Sequence, residues 1–124
     1  MEKNIFENVV KEEFHFLQRK YGFSSPVTED YGREIFIKFE RNAQTISISL
    51  EYGTSPLIEI FYPSSETGDK PTPWASKDGV ERSRRFPKLK INTKYSDENE
   101  NSVKGYIKEM SCVFEEKEAE WLKA

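Results

Sequence analysis

The segment "TISISLEY" (45–52) constrains the fold more than any other part of the chain. Ile46, Ile48, Leu50 and Tyr52 alternate with Thr45, Ser47, Ser49 and Glu51. A strict period of two places one set of side chains on each face of a strand, so this segment predicts a sheet with one buried and one wet face. Upstream, "EIFIKFE" repeats the pattern with Ile35, Ile37 and Phe39, and the polar link "RNAQ" between the two runs predicts a hairpin. "GTSP" ends the second run, and "LIEIFY" (57–62) supplies a third, with Ile58, Ile60 and Tyr62 in phase. Links this short predict an antiparallel meander, because parallel neighbours need a long crossover.

A sheet with one apolar face needs a cover, and the two ends of the chain provide candidates. Over residues 4–21 the period changes: Ile5, Phe6, Val9, Val10, Phe14, Leu17 and Tyr21 fall on one broad face at about 100° per residue. Asn4 and Glu7 have capping-box spacing. Gly22 suits a left-handed C-cap, with Phe23 folding back onto the helix. From about Asp97 to Leu122 a second helix is predicted, with Val103, Tyr106, Ile107, Met110, Val113, Phe114 and Trp121 on one face. Asp97 and Glu100 give it a capping candidate, and Gly105 inside it costs about 1 kcal/mol relative to alanine. Residues 63–88 hold Pro63, Pro71, Pro73 and Pro87 with Gly68 and Gly79, and read as a long Pro/Gly-rich loop. "KLKINTKY" (88–95) alternates again and reads as a fourth strand, at an edge because its lysines discourage further pairing. The sum is one α+β domain over residues 1–124: an N-terminal helix, a three- or four-stranded antiparallel meander, a long loop, and a C-terminal helix packed on one sheet face.

Charge and composition limit what such a domain does. Hydrophobic residues are only 35% of the chain against 33% charged, so the 9 Phe, 6 Tyr and 2 Trp must carry much of the burial. Cys112 is the single cysteine, which excludes an internal disulfide framework. The opening MEKNIFENVV has no apolar core of a signal peptide, and no apolar run approaches the roughly 20 residues that span a bilayer. A cytoplasmic protein that does not enter membranes is the resulting expectation.

Catalytic constellations are sparse. His15 is the only histidine, and its helical angle, like that of Cys112, points away from the apolar face. A Cys–His nucleophilic pair needs the two within hydrogen-bond reach, and a zinc site needs three or four ligands. No phosphate-binding or dinucleotide glycine pattern occurs. These absences predict no cofactor, no metal and no catalytic residues. The alternative is a small enzyme with a carboxylate site at Glu13, which projects toward the apolar face of the first helix between Val9 and Leu17.

The basic stretch 77–90 is the other conspicuous feature. Lys77, Arg82, Arg84, Arg85, Lys88 and Lys90 outweigh Asp78 and Glu81, for a local charge of +4 in a chain of net −3, so the remainder carries −7. Three readings stay open: a loop solvated or paired with the acidic C-terminal segment (within the chain or across a homodimer), a patch for a protein partner, and a nucleic-acid contact. A pI near 5.4 argues against nucleic acid, whose binding modules are typically basic throughout. For a protein partner, Arg82, Arg84 and Arg85 with Trp74 and Phe86 beside them are the candidate contact residues, since arginine and tryptophan are enriched at binding hot spots.

The segment "FHFLQRKYGF", with Phe14, Leu17, Tyr21, Gly22 and Phe23 followed by a polar strand hairpin, resembles the opening of small bacterial proteins similar to immunity proteins that neutralise toxins. The likeness covers roughly the first half of the chain and rests on a helix stop and the apolar face behind it. It implies a non-enzymatic inhibitor that acts by covering a toxin domain, and it transfers no catalytic residue.

Overall fold

The computed structural model describes residues 3–96, 98–118 and 122. Two helices, α1 (Lys3–Glu13) and α2 (Phe16–Tyr21), precede four strands, β1 (Val27–Asp30), β2 (Glu34–Arg41), β3 (Gln44–Glu51) and β4 (Leu57–Pro63). A one-turn helix α3 (Ser64–Thr67), a 3-10 turn (Pro73–Ala75), strand β5 (Arg82–Arg85) and helix α4 (Glu100–Glu118) follow. The five strands form one antiparallel sheet in sequential order, β1-β2-β3-β4-β5. Helices α1, α2 and α4 cover one face of it, so the α+β class and the helix-on-sheet packing are as the sequence predicts.

Register follows the alternation. Ile37, Ile48 and Ile58 lie in one row across the sheet, and Phe39, Ile46 and Ile60 in the next. All six are buried against Phe6, Val10, Phe14 and Leu17 of the N-terminal segment and Val103, Ile107 and Phe114 of α4.

The N-terminal helix is broken where the sequence predicts one continuous helix. Phe14 and Phe16 are both buried, with ring centroids 5.9 Å apart. On an unbroken helix they would point about 200° apart. The turn at 14–15 lets both enter the core. Its C-terminal stop is as predicted: Gly22 has φ +73°, its N–H donates to the Gln18 carbonyl, and the Phe23 N–H donates to the Leu17 carbonyl. The expected capping box is not formed, because α1 already contains Asn4; Glu7 pairs with Lys11 instead.

Strand number differs from expectation at both edges. β1 is an edge strand that the sequence does not predict, and β5 lies inside what the prolines suggest is loop. Residues 63–88 therefore carry structure rather than a bare loop. Buried Ser83 explains much of it: its hydroxyl contacts that of Ser64 and donates to the carbonyls of Asp69 and Lys70. Thr72 lies along the outer side of β5, donating its N–H to the Arg82 carbonyl at 2.7 Å and accepting the Arg84 N–H on its hydroxyl at 3.2 Å.

Residues 88–95 are not a fourth strand. The alternation holds, with Leu89, Ile91 and Tyr95 packed on the core and the lysines outward, but the backbone pairs with a side chain of α4 rather than with β-structure. The Glu109 carboxylate accepts the N–H groups of Asn92 and Thr93 at 2.6 and 2.9 Å and the Thr93 hydroxyl at 2.5 Å. Gly105 is not demanded by this packing, since an added Cβ would meet only the Thr93 methyl at an ordinary 3.6 Å. At the start of α4, Asn99 accepts the N–H groups of Asn101 and Ser102 and serves as N-cap. Asp97 and Trp121 lie outside the described residues.

These donors, with Asn92 N–H first, hold the Glu109 carboxyl below the ordinary value of 4.5. A depressed folded-state value means the clamp contributes fully above about pH 4.5 and is lost as pH falls through the folded value. The amide resonances of Asn92 and Thr93 are expected to titrate together below pH 4.5. Glu109→Gln should abolish that titration; amides that titrate unchanged in the variant would contradict the clamp.

Candidate functional site

The second sheet face carries the residues of opposite phase, and no α-helical residue lines its main cavity. The alternation predicts this face to be wet. Instead Ser47 and Ser49 are buried, Ser47 to 1% exposure, because longer neighbours rise around them. Lys38 and Glu59 flank Ser47 in one row; Phe36 and Leu57 flank Ser49 in the next. The result is a groove of about 600 Å³ with a serine floor running along β3. A second cavity of about 550 Å³ continues toward Asn42 and Arg82, sharing Lys38, Phe61 and Trp74 with the first.

Each bank combines a carboxylate, a cation and aromatic rings. On the β1 side, Tyr31 stands edge-on to Phe36 at 5.7 Å and donates its hydroxyl to Glu29 at 2.7 Å. Lys38 pairs with the same carboxylate at 3.1 Å and lies 5.7 Å from the Phe36 ring. The Tyr31 hydroxyl, then Lys38, hold the Glu29 carboxyl below its ordinary range, and Glu29 raises the tyrosine in return. On the β5 side, Trp74 stands edge-on to Phe61 at 5.6 Å. The Arg84 guanidinium is sandwiched between Trp74 at 4.8 Å and Phe86 at 4.6 Å, and pairs with Glu59 at 3.4 Å.

Of the five contact residues expected from sequence, the structure gathers Trp74, Arg84 and Phe86 into this one stack. Arg82 is on the same face, but its guanidinium is tied to the carbonyls of Ala43 and Lys77, both at 3.1 Å. Arg85 lies opposite Ile60 and projects to the helix-covered face. Glu13 ends α1, half-buried, and lines neither cavity of the open face. His15 and Cys112 are exposed on the helical layer. Among the described residues no three His, Cys, Asp or Glu side chains come together as a metal site would require. Nor is any helix among them long and apolar enough to cross a membrane.

Phe36, Phe61, Leu57 and Ser47 also line the groove and are not among the contact residues expected from the sequence. The signal was present: Phe36 and Phe61 are large apolar residues in the phase opposite to the core of their own strands.

Two features of the groove stand out chemically. The Ser47 hydroxyl is buried with no hydrogen-bond partner; Thr28, on the other face, holds the other such hydroxyl among the described residues. At the far end of the floor, Glu34 and Glu51 sit directly opposite each other across β2 and β3, both lining the groove. Like charges so placed repel. Comparison of the chain with protein-family models, curated proteins and solved structures finds no match.

Proposed function

We propose that this chain is a non-enzymatic protein-binding domain that docks a protein partner on its open sheet face, in the manner of a bacterial immunity protein that silences a toxin by covering it. One observation carries the reading. Among the described residues, six large hydrophobic side chains are exposed, and five of them (Val27, Tyr31, Leu57, Trp74 and Phe86) border this one face. Apolar exposure concentrated on one patch with polar neighbours marks interaction surfaces. The Arg84 stack suits such a role, because a guanidinium held by two rings and a carboxylate loses little freedom on docking. The four glutamates that line the main groove, Glu29, Glu34, Glu51 and Glu59, disfavour a polyanion there.

Co-expression with the product of the reading frame immediately upstream in its genome tests the proposal. The expected result is a stoichiometric complex and restored growth of a host that the upstream product otherwise arrests. A host that stays arrested, with no complex by native mass spectrometry, would reject the inhibitor role.

A further inference from the structure

The groove of the open face has a row structure that reads as a recognition code. Along β3, Glu51, Ser49 and Ser47 are spaced two residues apart, about 7 Å per step. Their rows are Glu34–Glu51, then Phe36–Ser49–Leu57, then Lys38–Ser47–Glu59. An extended peptide also sends every second side chain to one side at about 7 Å spacing. A strand-like segment lying along this floor would therefore place residues i, i+2 and i+4 in successive rows without losing step.

Each row asks for a different chemistry. No cation among the described residues lies within ion-pair reach of Glu34 or Glu51, so their repulsion is relieved by a basic side chain. Phe36 and Leu57, over a small serine, leave an apolar notch. The buried Ser47 hydroxyl lacks a partner, and it lies between a donor, Lys38, and an acceptor, Glu59. A side chain that both donates and accepts, the carboxamide of asparagine or glutamine, satisfies that row. The unsatisfied hydroxyl is independent of the acidic pair, and both point to the same occupant.

We infer that the groove binds an extended segment of the protein partner with the pattern basic–x–apolar–x–carboxamide, its basic residue on Glu34 and Glu51 and its carboxamide on Ser47. This rests on the open face being the docking surface.

The test is an amide-resolved NMR titration of the full chain with the blocked peptide Thr-Arg-Thr-Leu-Thr-Gln-Thr, with a control in which glutamate replaces arginine, and with oligothymidylate. The arginine peptide is expected to move the resonances of Phe36, Ser47, Ser49 and Glu51. The control should bind at least about fivefold more weakly at low salt. The double variant Glu34→Gln/Glu51→Gln and the variant Ser47→Ala should each weaken the arginine peptide by a similar factor while keeping the native amide spectrum. The inference is overturned by equal affinity for the two peptides, by variants that bind as wild type, by oligothymidylate occupying the groove, or by the absence of any shift there. If it falls while a partner complex still depends on Trp74 and Arg84, the docking-face reading stands; if the partner instead protects the helical layer, both fall.

Discussion

Ile48→Asp is expected to abolish the cooperative thermal transition, whereas Ser49→Asp, one residue away, is expected to preserve it. Ile48 is 0% exposed at the centre of the middle strand, between Ile37 and Ile58 and beneath the helices. Losing its buried volume costs about 2–5 kcal/mol. A carboxylate in the same place, among Ile37, Ile58 and the rest of the apolar core, adds several more or must take up a proton. Together these match the whole stability of an ordinary domain, about 5–15 kcal/mol. Ser49 is also buried, but under an open groove into which a longer side chain can rise. Its replacement meets the repulsion of Glu34 and Glu51 and should cost about 1–2 kcal/mol. Equal loss of the transition in the two variants, followed by circular dichroism, would refute the assignment of faces.

Arg84→Ala is expected to weaken the partner complex by about 2 kcal/mol, roughly 30-fold, with the fold retained. The side chain is partly exposed, and its ion pair and ring contacts contribute about 1 kcal/mol to the isolated domain. Arg84→Lys should recover little, because an ammonium does not fill the planar slot between Trp74 and Phe86. Arg85→Ala supplies the contrast: it lies on the helix-covered face and should leave partner affinity within about twofold. Isothermal titration against the partner reads all three. Equal losses for Arg84→Ala and Arg85→Ala would mean that the basic stretch acts by charge alone.

Arg84 and Arg85 are adjacent and alike in sequence yet lie on opposite faces, a difference set by strand phase. The strands with long alternation, β2, β3 and β4, were legible because each hydrophobic position repeats the same physical demand several times. β1 and β5 are four residues each, and "VTED" and "RSRR" have no apolar repeat. They are strands because β2 and β4 offer them hydrogen bonds, a cause that lies elsewhere in the chain. Residues 88–95 show the converse: alternation correctly sorted inward from outward side chains, but the partner of the backbone, Glu109, is a helix residue that no strand pattern indicates. Phe16 broke the helix for a tertiary reason. At the candidate site, Trp74, Arg84 and Phe86 were legible as residue types suited to binding. Their convergence depended on β5 being a strand, which fixes the phase that sends Arg84 and Arg85 to opposite faces.

The arrangement of Thr72 along β5 has a consequence for how this protein meets other chains. Exposed strand edges invite a foreign strand to add itself, which is one route both to peptide capture and to fibril growth. Here the outward carbonyl of Arg82 and the outward N–H of Arg84 are already engaged by Thr72, and the Arg82 N–H lies 3.4 Å from the Ser76 hydroxyl. A foreign strand would have to displace that segment before it could extend the sheet. Thr72 and Ser76 thus guard this stretch of the margin against backbone-driven polymerisation, and selectivity at this end of the molecule falls to side chains such as Arg84.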